Sequence, residues 1–130
     1  MIELFGFPFP PSTNALYKNA GKRRVKTHDY KEYEYECEAW EYENIKALKK
    51  AIKLLRGELV ELNLKVFAPK STWYTKAGKP KKIDVTNRVK ALEDCLFKML
   101  DIDDCHVFKC TQEKCISDKK YVDIELREYK

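Results

Sequence analysis

The sequence predicts an α/β (α+β) fold in which a single mixed β-sheet carries two main helices on one face. Three observations lead there. A short apolar run opens the chain, and stretches of alternating apolar and polar residues stand in its middle and near its end, as strands with one wet face require. Two longer stretches repeat apolar residues at intervals of three and four, as amphipathic helices do. Their order is strand, brief strand, helix, strand, helix, strand, strand. The 130 residues allow one hydrophobic core and one domain, 1–130.

Met1 to Phe7 is a short apolar run that reads as the first strand, and Pro8-Phe9-Pro10-Pro11 ends it because proline cannot donate to a ladder. Ser12 to Tyr17 follows as a loop. Lys18-Asn19-Ala20-Gly21-Lys22-Arg23-Arg24 is a turn, and Arg24 to Thr27 a short strand. A long helix then runs from about Asp29 to Arg56, capped by Thr27 or Asp29 and stopped at Gly57. Its stripe is Tyr33, Cys37, Trp40, Ala47, Leu48, Ala51, Ile52 and Leu55. The aromatic residues of its first half, Tyr30, Tyr33, Tyr35, Trp40 and Tyr42, read as core or as a surface for a partner subunit.

Leu62, Leu64 and Val66 alternate in a strand over Glu58 to Ala68, ended by Pro69. Lys70 to Lys82 reads as a loop with five lysines (Lys70, Lys76, Lys79, Lys81 and Lys82) and two aromatics, Trp73 and Tyr74. The second helix begins after Asp84, with a core stripe of Val85, Val89, Leu92, Leu96, Met99 and Leu100. Val107 to Ile116 and Lys120 to Glu128 read as a closing hairpin turned at Ser117-Asp118-Lys119.

The formal net charge is +5, and its distribution says more than its sum. Glu32 to Glu43 is acidic, whereas Lys18 to Lys26 and Lys65 to Lys82 are basic, which points to a polyanion on one side of the molecule. Lys22, Arg23, Arg24 and the five loop lysines are candidate phosphate contacts. Trp73 and Tyr74 read either as exposed rings that stack on unpaired bases or as rings folded back onto the protein. No stretch reaches the roughly 18 apolar residues of a membrane span. Nor does the start resemble a signal peptide, so a cytoplasmic protein without membrane attachment is expected. The odd set Cys37, Cys95, Cys105, Cys110 and Cys115 argues for free thiols. Cys105, His106, Cys110 and Cys115 lack the tight pair of a zinc site.

On the second helix Asp84, Asn87, Lys90 and Asp94 share the face opposite the core stripe, and Asp103 and Asp104 follow just past the helix end. Hard oxygen ligands in this arrangement suit Mg²⁺, and a lysine among them would neutralise charge on a phosphate under attack. The plainer reading is a solvated polar face with Asp84 as N-cap.

Pro10-Pro11-Ser12-Thr13-Asn14, the segment Asp84-Val85-Thr86-Asn87-Arg88-Val89-Lys90-Ala91-Leu92-Glu93-Asp94, and Asp103-Asp104 together resemble the RusA-type Holliday junction resolvases, small phage and bacterial endonucleases. The resemblance spans nearly the whole chain. It implies a homodimer that binds four-way junction DNA and cuts two opposed strands symmetrically with Mg²⁺ or Mn²⁺, in recombination and repair. It also implies a catalytic set of Asp84, Lys90 and Asp104, with Asn87 near the DNA. One departure stands out, because Thr86 occupies a position where the family carries an acid. Either Asp94, two turns along the same face, partly replaces that acid, with Asp84, Asp94, Asp103 and Asp104 as the metal ligands, or the protein binds junctions and cuts them weakly or not at all. Two rivals from other classes are a non-catalytic nucleic-acid-binding module and a protein–protein adaptor using the acidic helix.

Overall fold

The computed structural model describes residues 1–11, 17–82 and 85–130, and the side chains of 86 and 87 fall outside the description. The expected loop from Ser12 onward lies mostly outside it as well. Strand β1 (Ile2–Phe7) sets Leu4 and Phe7 into the core three residues apart, which strict alternation forbids. A β-bulge resolves the conflict. Leu4 pairs with Ile124 and Phe7 with Val122, and Gly6 turns through φ +66° between them. The Gly6 N–H donates to Asp123 Oδ1 at 3.1 Å. Strands β2 (Tyr17–Ala20) and β3 (Arg23–Lys26) form a separate antiparallel hairpin whose tip carries the basic cluster.

The long helix is two helices, α1 (His28–Glu43) and α2 (Ile45–Leu55). The break falls at Asn44, whose side-chain Nδ2 donates to the Trp40 carbonyl at 2.8 Å while its own N–H turns to Trp40 and Glu41. An asparagine that competes in this way for backbone groups interrupts the ladder, which the apolar stripe does not reveal. Thr27 is the N-cap of α1, accepting the Tyr30 N–H at 3.2 Å. Thr27→Ala should lower stability by about 1 kcal/mol, read as an earlier urea midpoint at unchanged slope; an unmoved midpoint would mean that the cap bond contributes nothing.

Strand β4 (Val60–Ala68) is followed by a single turn, α3 (Lys70–Trp73), then α4 (Val85–Leu100), a 3-10 turn at Asp104–His106, β5 (Val107–Ile116) and β6 (Tyr121–Glu128). The sheet order is β1-β6-β4-β5, with β4 and β5 parallel and the other pairs antiparallel. The closing hairpin expected from the sequence is therefore absent: β5 and β6 follow one another in the chain but flank β4. The reason lies in the two patterns. β6 alternates buried Val122, Ile124 and Leu126 and takes a central place, whereas β5 is mostly exposed and takes the edge. The α4 crossover makes β5 parallel to β4, and the link at Ser117 passes the end of β4, with the Ser117 N–H bonded to the Ala68 carbonyl at 2.9 Å.

Leu62, Leu64 and Val66 of β4 pair with Leu126, Ile124 and Val122 of β6, so all six point to one face. That face meets Leu48, Ala51 and Leu55 of α2, Tyr30, Tyr33, Cys37 and Trp40 of α1, and Val89, Leu92, Leu96 and Leu100 of α4 in one apolar core. The other face carries Glu61, Asn63, Lys65, Asp123 and Glu125. The fold is thus α+β, with one four-stranded mixed sheet and the helices layered on one side. Among the described residues, no helix is long and apolar enough to cross a membrane.

Candidate functional site

Of the polar face expected on α4, Lys90 and Asp94 are described, and both are exposed. Lys90 Nζ lies 3.1 Å from Asp94 Oδ1, one helical turn away. That hydrogen bond and the Asp94 charge raise the Lys90 ammonium above its ordinary pKa, with Glu93 and Asp104 contributing, so it keeps its proton throughout the neutral range. Asp84 and the side chains of Thr86 and Asn87 lie outside the described residues.

Asp103 caps the 3-10 turn. Its Oδ1 accepts the Cys105 N–H at 3.1 Å, and that bond holds its carboxyl below the usual range. One of its oxygens is thus committed to presenting Asp104, which is exposed beside it. The turn is reached through Asp101, which adopts φ +52° after the last helical residue. There the Ile102 N–H returns to the Phe97 carbonyl at 3.0 Å and the Asp101 N–H to Lys98 at 3.4 Å, a Schellman closure. This closure folds the chain back so that Asp104 enters the field of Lys90.

Glu93 is a member of the cluster that the wheel did not single out. It faces β5, where Cys110 Sγ approaches its Oε1 at 3.9 Å. Burial pushes its carboxyl up; Lys90 pulls it down, and the charges of Asp94 and Asp104 add to the rise. Its interval of three from Lys90 was the available signal. Among the described residues no group of three His, Cys, Asp or Glu side chains is placed to hold a metal ion. Glu93, Asp94 and Asp104 are hard carboxylate donors of the kind a divalent cation takes, and they act on one another electrostatically without being gathered into one ligand set.

Of the basic segments, the β2–β3 hairpin adjoins α4 through its base, and the lysine-rich loop precedes α4 in the chain. On the hairpin, Lys22, Arg23 and Arg24 are exposed, and Arg24 stacks on the Tyr17 ring at 5.0 Å. The hairpin is anchored where Tyr17 meets Tyr30 edge-on at 5.6 Å and Lys26 bonds Glu34 at 2.9 Å. Tyr30 feels the charge of Asp94, so the hairpin base adjoins α4. Lys70 to Lys82 is a bound turn: Tyr74 bridges Pro80, the Lys81 N–H donates to the Trp73 carbonyl at 2.8 Å, and Thr75 accepts from Gly78 and Lys79. Lys70, Lys76, Lys79, Lys81 and Lys82 are all exposed on it.

Trp73 departs from the stacking reading. It is 4% exposed, its Nε1 donates to the Cys115 carbonyl at 2.8 Å, and its ring belongs to the core. Tyr74 is half-buried, packed against the same core, with Lys70 over its ring at 6.0 Å. The single turn α3, invisible in so short a polar stretch, rotates the indole inward. The aromatic helix is also largely internal: Tyr33 Oη donates to the Pro8 carbonyl and Trp40 Nε1 to that of Phe5, both at 3.0 Å. Tyr35 and Tyr42 remain exposed, at 70% and 85%.

Two further cations were not singled out. Arg88 and Lys120 lie over the Phe9 ring at 5.8 and 5.4 Å, beside the start of α4. Arg88 stands four residues beyond Asp84, which was its only sequence signal. Cys105, Cys110 and Cys115 do not converge, because an interval of five on a strand sends Cys110 and Cys115 to opposite faces.

The family model described as Endodeoxyribonuclease RusA matches residues 8–127. No curated protein matches the chain.

Proposed function

This chain belongs to the Endodeoxyribonuclease RusA family, and on that premise we propose that it is a structure-selective endodeoxyribonuclease that resolves four-way DNA junctions by metal-dependent hydrolysis of two opposed strands. The observation that carries the reading is that Lys90, Glu93, Asp94 and Asp104 act on one another electrostatically on and just past the helix that follows a lysine-rich loop, within a chain of that family.

Asp84 and Asp104 would hold one or two Mg²⁺ or Mn²⁺ ions, with Glu93, Asp94 and Asp103 supporting. A divalent cation held there supplies Lewis-acid polarisation of the scissile phosphate and hydroxide at near-neutral pH. Lys90, kept protonated by Asp94, donates from Nζ to a non-bridging phosphate oxygen as negative charge gathers on it. Asp94 orients that ammonium, and Asp103 fixes the turn that presents Asp104. Lys22, Arg23 and Arg24 on one side and Lys70, Lys76, Lys79, Lys81 and Lys82 on the other grip backbone phosphates, joined by Arg88, Lys120 and Asn87. A homodimer, one domain of residues 1–130 in each copy, supplies two sites for two strands under two-fold symmetry. Selectivity follows from junction shape.

Incubating the protein in Mg²⁺ with a synthetic junction, and with linear duplex of the same sequence, tests this. Expected are paired, symmetric, ligatable nicks in the junction alone. Equal cutting of duplex would overturn the assignment. Junction binding without nicks, in Mg²⁺ and in Mn²⁺, would favour the binding-protein reading, for which Thr86 in place of an acid is the specific support.

The loop has its own signature. Replacing Lys76, Lys79 and Lys81 together by alanine should lower the slope of log K against log salt by about 0.9 per lost contact. Thermal stability should hold, since the turn is kept by backbone bonds. An unaltered slope would place the DNA elsewhere.

A further inference from the structure

A pair of thiols stands apart from the proposed chemistry. Cys37 on α1 is buried and Cys95 on α4 is half-buried, and the two thiols are neighbours that line one groove where the helices meet. The pair opens onto a groove of about 190 Å³ whose charged walls are Glu34, Glu38, Glu41 and Lys98. All five cysteines are free. Cys110 lies beside Glu93 and Cys115 beside Glu113, whereas Cys37 and Cys95 stand on facing helices with 57 residues of chain between them.

We propose that Cys37 and Cys95 are a peroxide-reactive thiol pair that closes reversibly into a disulfide linking α1 to α4. Cys95 is the attacking thiol because it is the more exposed of the two, and the buried Cys37 is the resolving thiol. The oxidant is a small neutral peroxide. Three carboxylates against one ammonium repel anionic oxidants such as glutathione disulfide, while hydrogen peroxide enters freely. The Cys95 thiolate attacks one peroxide oxygen and the O–O bond breaks. The departing hydroxide takes up the thiol's proton as water, leaving Cys95 as a sulfenic acid. Cys37 sulfur then attacks Cys95 sulfur, the S–O bond breaks, and the Cys37 proton leaves with the hydroxyl as a second water. Two thiols are oxidised and one peroxide is reduced. The sulfurs must close to about 2.0 Å, which ties the helix carrying Lys90 and Asp94 to α1. The bond is a matter of thiol chemistry alone and does not depend on the nuclease reading.

The full-length, reduced protein should be treated natively with a few equivalents of hydrogen peroxide and followed by thiol titration and intact mass. The free thiols should fall from five to three, with the mass lower by about 2 Da. Proteolysis should yield a fragment linking Cys37 to Cys95, a dithiol reductant should reverse it, and the melting temperature should rise by roughly 10 °C. A variant with Cys105→Ser, Cys110→Ser and Cys115→Ser should lose the same two thiols. Adding Cys37→Ser to it should stop the reaction at a sulfenic acid on Cys95, heavier by about 16 Da. Retention of all thiols, a bond through any other cysteine or between copies, or faster oxidation by glutathione disulfide than by peroxide would each overturn the proposal. The triple-serine variant leaves both Cys37 and Cys95 in place, so it decides the question even if Cys37→Ser does not fold.

Discussion

Asp84→Asn should slow junction cleavage by at least about 10³-fold while leaving junction affinity within about threefold of wild type. That side chain is the first of the acids expected at the metal, and an amide of equal size does not balance a divalent cation. A loss of this size equals about 4 kcal/mol of transition-state stabilisation. It follows only if the remaining acids cannot recruit the ion on their own. The described structure supports that condition. Asp94 is paired with Lys90 at 3.1 Å, Asp103 is committed to a backbone N–H, and Glu93 is pushed toward its protonated form by burial. Gel analysis of labelled junctions, with binding measured in Ca²⁺ or chelator, separates the two quantities. Cleavage within tenfold of wild type would remove Asp84 from the metal and shift the centre to Glu93 and Asp104. Equal loss of binding and cutting would make Asp84 a folding residue.

Trp73→Ala should cost about 3–5 kcal/mol of folding stability, a large share of the 5–15 kcal/mol that a domain possesses. The indole is 4% exposed, touches Phe9 with ring centroids 6.2 Å apart, and satisfies its N–H on the Cys115 carbonyl. Truncation leaves a cavity beneath the loop and an unpartnered carbonyl at the β5 edge. Urea unfolding should show a much lower midpoint, and whatever fraction remains folded should bind DNA with near wild-type affinity. Unchanged stability with weakened single-strand binding would restore Trp73 as a stacking platform.

The α4 face and Trp73 mark where the sequence was legible and where it was not. The α4 face was legible because helical geometry is local: residues 90 and 94 must be neighbours, and the Lys90–Asp94 pair follows from their spacing alone. The paired core strands β4 and β6 were legible for the same reason, since alternation names the buried side before any partner is known. Glu93 was not, because its altered carboxyl depends on β5 packing against α4, a contact seventeen residues away. Trp73 was not, because a polar, lysine-rich neighbourhood conceals one turn of helix.

The sequence by itself determined the class of fold, the main helices and strands in their order, and a carboxylate–lysine motif placed next to a basic loop, but not that Tyr17–Ala20, read as loop and turn, is a strand. Only the tertiary structure decided which strands are partners, that β5 runs parallel to β4 instead of folding back on β6, that the long helix breaks at Asn44, and that Cys37 meets Cys95. The physical reason is range. Periodicity and capping act within a turn or two of chain. Strand pairing, ring burial and the field at a carboxyl are set by residues distant in sequence, brought together only when the apolar faces of α1, α2 and α4 close on the sheet.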